Sequence, residues 1–307
     1  MLTQPKIIPG GIYPPVPTFF RADEVLDTGT LRHHIRRLAG TGIAGYVVMG
    51  SNGEAVHLSS DERAEVISTT HDVLSEMGLA LPIIAGCGAQ STRQTLEYCH
   101  QAAAQGADFA LVLPPAYYPG RMDERALKAH YQIVAAASPL PVIIYNMPAS
   151  AAGINLKADF ICALAEHPNI VGVKDSAGDV SKLMQIVSQV KSDFKVFAGS
   201  ADVLLPALLG GAVGAVAALA NIFPRTVCRV QTLFEQQRFE EARQLQSSLI
   251  VANTAVTSRC GVAGLKAALD STVGYGGFPR LPLQPLTAQE QDTLLQIISA
   301  IPREDET

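Results

Sequence analysis

Short apolar runs recur along the chain, each followed by a polar or Gly/Pro loop and then by a longer stretch of helical periodicity. The runs are GIYPPVPTFF, GYVVMG, LPIIAGCG, FALVLPP, PVIIYNMP, IVGVKDSAG, FKVFAGS and GAVGAVAALAN. Most lack apolar/polar alternation, which is the pattern of parallel strands covered on both faces. The stretches between them carry helix-start signals. Ser59-x-x-Glu62 and Ser91-x-x-Gln94 read as capping boxes, with Gly106 ending the second helix. The other helices are expected to begin near Asp27, Asp123, Leu156, Asp179, Asp202 and Pro224.

Eight strand–helix units predict an α/β chain folded as a (β/α)8 TIM barrel. A doubly wound sheet is the rival, but the first strand leads into RADEV, with no G-x-G-x-x-G loop. The barrel is complete by residue 235, so residues 1–235 are read as the catalytic barrel and 236–307 as a C-terminal helical region. That region shows three helical patterns, near 236–253, 261–272 and 287–300, the last opening on a Thr287-x-x-Glu290 box. It forms a three-helix extension.

Composition narrows the function. The chain has 307 residues, 48% hydrophobic and 17% charged, with a net charge of −5. This mild negative charge, with no block of like charges, argues against a nucleic-acid partner, which needs a basic face. Five widely spaced cysteines and no C-x-x-C argue against a disulfide scaffold or a zinc site. The opening MLTQPKIIPGG shows no targeting signal, and the longest apolar run, GAVGAVAALANIF, is too short to span a bilayer. A soluble, cytoplasmic protein is expected, with no membrane partner.

Chemistry in a barrel sits at the C-terminal strand ends. Strand six ends in Lys174-Asp175-Ser176, and strand parity places Gly172, Lys174 and Ser176 on one face, opposite Val171 and Val173. Gly172 is expected to leave room beside the lysine stem. Desolvation in a barrel mouth favours the neutral amine, which can attack a ketone and form a Schiff base. The alternative is a solvated Lys174 paired with Asp175. Tyr145 ends strand five, where a phenol can shuttle a proton beside an imine; the alternative is a core tyrosine with a bonded tip. Gly50-Ser51-Asn52-Gly53 joins strand two to a helix, and its amides and side chains can hold a carboxylate or simply make the turn. Glu54 follows as a structural acid. The seven histidines form no H-x-H or H-E-x-x-H pattern, so no metal is expected.

Together Gly50-Ser51-Asn52-Gly53-Glu54, Tyr145-Asn146-Met147-Pro148 and Gly172-Val173-Lys174-Asp175 resemble the motifs of the dihydrodipicolinate synthase/N-acetylneuraminate lyase family of class I pyruvate aldolases, over nearly the whole chain. The resemblance implies that Lys174 forms the Schiff base and that Ser51 relays a proton to Tyr145. It implies that Asn52 binds the keto-acid carboxylate and that the Val216 backbone touches the bound acid; Ser176, two residues after the lysine, is expected to meet the substrate tail. It further implies a tyrosine after strand four, Tyr117 or Tyr118, completing the relay of a neighbouring subunit, with Tyr117 favoured. The assembly implied is a homotetramer built as a dimer of dimers. No cofactor is implied beyond the covalent imine on Lys174.

Within the family the sequence most resembles the 4-hydroxy-2-oxoglutarate aldolases and the 2-keto-3-deoxy sugar-acid (L-threo-3-deoxy-hexulosonate) aldolases. GIYPPV, GSNGE, YYPGRM, KDSAGD and NTAVTSRCGVAGLK carry that likeness. The synthase branch has an arginine shortly after Tyr-Asn-x-Pro; here Ala149-Ser150-Ala151-Ala152-Gly153 offers no cation, which argues against lysine biosynthesis. The expected reaction is cleavage of a 4-hydroxy-2-oxo acid to pyruvate and an aldehyde. A synthase or sugar-acid dehydratase using the same imine, and a keto-acid-binding sensor barrel, are the alternatives.

Overall fold

The computed structural model describes residues 6–301. The outer ends of the two expected segments, 1–5 and 302–307, lie outside the described residues. Eight parallel strands form one sheet: β1 (Gly11–Tyr13), β2 (Tyr46–Val48), β3 (Ile83–Gly86), β4 (Phe109–Val112), β5 (Val142–Asn146), β6 (Ile170–Asp175), β7 (Lys195–Ala198) and β8 (Gly214–Val216). Their order is β1-β8-β7-β6-β5-β4-β3-β2. The barrel closes between β1 and β2 through a single parallel bridge, Pro15 to Val47, with Val16 N–H donating to the Val47 carbonyl at 2.8 Å.

A helix follows each strand: α1 (Thr28–Ala39), α2 (Ser60–Glu76), α3 (Thr92–Ala104), α4 (Glu124–Ala137), α5 (Ala158–Ala165), α6 (Val180–Gln189), α7 (Leu204–Leu209) and α8 (Pro224–Glu235). The Ser59/Glu62 and Thr287/Glu290 boxes form in both directions. Ser91 caps α3, but Gln94 does not reach back; its amide donates to the Tyr98 hydroxyl at 3.0 Å instead. Asp27, Asp123 and Asp179 cap α1, α4 and α6 as expected. Two starts are displaced. Helix α5 opens after Lys157 and α7 after Val203, neither with a side-chain cap, because Leu156 has no acceptor and Asp202 lies a residue too early. The long apolar run after Gly214 is a strand for three residues only; Ala218–Asn221 turns as a 3-10 helix.

Two apolar layers build the core. Strand residues such as Tyr13, Val47, Phe109, Ile143, Val171 and Phe197 fill the barrel. The alternate strand positions pack outward against the helices. The extension comprises α9 (Phe239–Thr254), α10 (Gly261–Val273) and α11 (Ala288–Ile298). A π-helical turn, Ala255–Arg259, joins α9 to α10, a feature the periodicity does not announce. Leu249, Val256, Leu265 and Leu294 belong to the same outer core as the barrel helices. Gln246 accepts from Leu205 N–H and Asn253 donates to Ser200 Oγ at 2.7 Å, so α9 is bonded to the end of β7 and the start of α7.

Strand β6 departs from simple alternation. Val142 on β5 faces Ile170 while Ile143 faces Gly172, so Val171 is an unpaired bulge residue. Lys174 keeps the parity expected of it, opposite Tyr145 on β5 and Phe197 on β7. Val171 does not: its side chain joins the barrel interior, not the outer face with Val173. The reason is local. Gly172 has no side chain to fill the inner layer, and the bulge lets Val171 fill it. Nor does Gly172 make room for the lysine stem. A Cβ there would lie 2.6 Å from the Lys195 carbonyl oxygen, so the glycine permits the close approach of β7.

Candidate active site

Lys174 and Tyr145 are adjacent because β5 and β6 are paired in register. Lys174 is 4% exposed and Tyr145 5% exposed, and the ammonium lies 4.0 Å from the centroid of the tyrosine ring. Asp175 does not neutralise Lys174. Its carboxylate takes Lys182 Nζ at 2.6 Å, Asn146 Nδ2 at 2.9 Å and Ala177 N–H at 2.9 Å. The solvated Lys174–Asp175 pair is therefore not formed: alternation turns the two side chains to opposite faces, and Asp175 serves the shell between β6 and α6. Burial pushes the Tyr145 phenol up, but the Lys174 charge and the Ser51 hydrogen bond hold it below its usual value.

Ser51 closes this group. Its Oγ lies 3.3 Å from the Tyr145 hydroxyl and 3.3 Å from Ser150 Oγ. The loop that carries it is a 3-10 turn, Ser51–Gly53, pinned by Thr18 Oγ1 donating to the Gly53 carbonyl at 2.6 Å. Asn52 sits in the same turn, half-buried. Val216 ends β8 in the inner layer, level with Tyr13. Ser176 Oγ is buried and lacks a hydrogen-bond partner, at the mouth where Gly199 approaches it. An unpartnered buried hydroxyl is costly unless something arrives to bond it.

Tyr117 stands apart. It is 76% exposed, stacked edge-on against Tyr118 with ring centroids 5.0 Å apart, and its backbone N–H is held by Gln90 Oε1 at 2.9 Å. Within one chain it does not reach Tyr145.

A cavity of about 330 Å³ opens at the C-terminal ends of β2 to β5, walled by Met49, Leu111 and Leu113 and carrying the polar groups of Ser51, Tyr145 and Ser150. It meets Lys174 through the Tyr145 ring. Two further cavities, about 190 and 160 Å³, lie within the extension, away from these groups. Sequence reasoning missed three contributors. Ser150 follows Tyr-Asn-x-Pro by two and carries no signal except the lack of a cation there. Arg63, buried on α2, donates to the carbonyls of Ala55 and Gly86, both on the cavity wall. Lys266 on α10 pairs with Glu54 at 2.6 Å across 212 positions, which no local pattern announces. Among the described residues no group of three or more His, Cys, Asp or Glu is placed to hold a metal.

Fold and site together define a (β/α)8 barrel with a buried amine, a phenol and a hydroxyl converging at the strand C-termini. The chain belongs to the dihydrodipicolinate synthetase family, whose model matches residues 8–301. A probable mitochondrial 4-hydroxy-2-oxoglutarate aldolase of Emericella nidulans is 43% identical over 290 residues, 94% of each chain. An L-threo-3-deoxy-hexylosonate aldolase of Hypocrea jecorina is 40% identical over 92% of each. Among solved structures, a dihydrodipicolinate synthase of Bacillus anthracis superposes with a TM-score of 0.91 at 28% identity, covering 97% of this chain and all of that one. A family protein of Coccidioides immitis gives 0.87 at 34% identity over 97% of both.

Proposed function

We propose that this protein is a lyase, a Schiff-base aldolase that cleaves a 4-hydroxy-2-oxo acid to pyruvate and an aldehyde. The observation that carries the reading is the buried Lys174 ammonium over the Tyr145 ring, with Ser51 on the phenol. The two relatives named above support the substrate class, since both are named as aldolases of such acids.

Tyr145 takes a proton from the Lys174 ammonium, the neutral amine attacks the C2 ketone, and the phenol returns the proton as water leaves to give an iminium. Ser51, Asn52 and the loop amides, with the Val216 backbone, hold the C1 carboxylate. The Tyr145 phenolate takes the proton from the C4 hydroxyl, favoured by the Lys174 charge and the Ser51 hydrogen bond. The C3–C4 bond then breaks, its electron pair entering the iminium to give an enamine. The aldehyde departs. Protonation at C3 and hydrolysis release pyruvate and restore the amine. Ser176 Oγ, buried and unpartnered, bonds the substrate tail. The imine needs neither metal nor cofactor.

Assembly is part of the reading. Tyr117 and Tyr118 project from the end of β4 into solvent, as expected of groups that complete a neighbouring subunit's relay. The family resemblance implies a homotetramer, with Tyr117 as the relay tyrosine. Residues 6–235 are the catalytic barrel and 236–301 its helical extension. No helix among the described residues is long and apolar enough to cross a membrane. A cytoplasmic location comes from the sequence alone, whereas the Emericella relative is named as mitochondrial; cell fractionation decides between them.

Borohydride reduction in the presence of pyruvate tests the reading. A stable adduct is expected on Lys174 of the native protein, found by peptide mass spectrometry. Lys174→Ala is expected to fold, to form no adduct and to have no measurable cleavage. A native protein that yields no adduct overturns the mechanism.

A further inference from the structure

Glu54 directly follows the turn that carries Ser51 and Asn52, and it is buried. Its carboxylate accepts three hydrogen bonds: from Lys266 Nζ at 2.6 Å, from the Arg280 backbone N–H at 2.8 Å and from His57 Nδ1 at 3.2 Å. Lys266 has no exposed surface; its ammonium also donates to the Phe278 carbonyl at 2.8 Å and lies 4.6 Å from the centroid of the Phe20 ring. Burial lowers the pKa of this amine, and Glu54 opposes the fall. A well-packed apolar pair in such a place is often as stable as a buried ion pair. Stability alone therefore gives little reason for these charges.

The backbone supplies one. Met49 and Glu54 have φ of 54° and 50°, left-handed values for residues that bear a Cβ. They stand on either side of Gly50–Gly53. Strained backbone persists where its surroundings over-determine it, and it clusters at functional sites. Three donors on the Glu54 carboxylate supply that constraint at one end of the turn. At the other end, Ser51 Oγ lies within hydrogen-bond reach of the Tyr145 hydroxyl.

We propose that the Glu54–Lys266 pair is the positioning device of the site, by which the C-terminal extension sets Ser51 and Asn52 against Tyr145. The proposal rests on the function given above. Neither residue touches substrate; both act through Ser51. The extension is thus part of the catalytic apparatus.

Pyruvate alone is a sufficient probe, because exchange of its methyl protons in D2O needs both the imine and the proton relay, whatever the aldehyde. Lys266→Met strands the Glu54 carboxylate and risks misfolding, so the informative protein is the double variant Glu54→Gln/Lys266→Met, which removes both charges at similar volume. It is expected to fold and to be trapped by borohydride and pyruvate on Lys174 like the parent. Its methyl exchange is expected to fall about tenfold or more, a part of what a placed acid–base group contributes. The pH profile of exchange is expected to move upward as Tyr145 loses its Ser51 bond, and Lys266→Arg is expected to keep most of the rate. A double variant that exchanges at the parental rate with an unmoved profile overturns the positioning role. A native protein with no adduct sinks the underlying reading, and this proposal with it.

Discussion

In the proposed mechanism three side chains share one proton path. Tyr145 is buried, yet its phenol is held below its usual value, by the Lys174 charge and by hydrogen bonds that include one from Ser51. A base must be deprotonated, so turnover rises with pH through the phenol's pKa. Ser51→Ala removes one group that favours the phenolate, raises that pKa and is expected to shift the rising limb to higher pH. At neutral pH the rate is expected to fall, by up to about a hundredfold for a lost acid–base contact, while borohydride trapping of pyruvate persists. A pH–rate profile measured beside the trapping yield checks both. The positions of Lys174, Tyr145 and Ser51 were legible in the sequence because each closes a strand or opens a loop at the barrel mouth, whereas their roles came from the family resemblance. Ser150 and Lys266 were not, since their significance is a distance across the fold.

Secondary elements show a different balance of what the chain discloses. Helix starts with an oxygen-bearing cap and a partner three residues on were readable, and Ser59 with Glu62 makes both bonds of its box. Ser59→Ala is expected to lower stability by about 1 kcal/mol, the usual cost of a lost cap, with a matching fall in the urea midpoint and unchanged activity of the folded protein. The starts of α5 and α7 were misplaced because packing, with no cap, sets them. The bulge at Val171 escaped the parity rule for a related reason. Alternation is a local expectation, whereas the bulge answers a vacancy that Gly172 leaves in the barrel's inner layer. The π-turn at Ala255–Arg259 has the periodicity of neither a strand nor an α-helix, and so it falls in the gap between the two helices expected near 236–253 and 261–272.

At the scale of the molecule, buried histidines couple the fold to pH. His34 on α1 is fully buried, 3.1 Å from the Tyr275 hydroxyl and 3.1 Å from Asn221 Oδ1, and so ties the barrel to the chain beyond α10. Burial pushes its pKa down to about 3, with Arg37 acting the same way and Asn221 opposing. An unfolded histidine titrates near 6.5. Between these values the unfolded chain binds a proton that the native state refuses, so stability is complete above about 6.5 and falls as pH drops towards 3. At the unit slope of about 1.4 kcal/mol per pH unit, His34 alone is expected to remove about 2 kcal/mol between pH 7 and pH 5. Urea midpoints at the two pH values check this, and His34→Gln is expected to show a smaller difference between them.

The hoop of strands also has a clasp. Seven of its joints are ladders, and the eighth, between β1 and β2, is one bridge beside Pro14 and Pro15, residues that have no N–H to give. Ser51 hangs from the far end of β2, a few positions beyond that clasp. Ser51 is therefore suspended from one of the two strands that share the weakest joint, and the bolt from Glu54 to Lys266 is a second fastening thrown across from the other end of the chain.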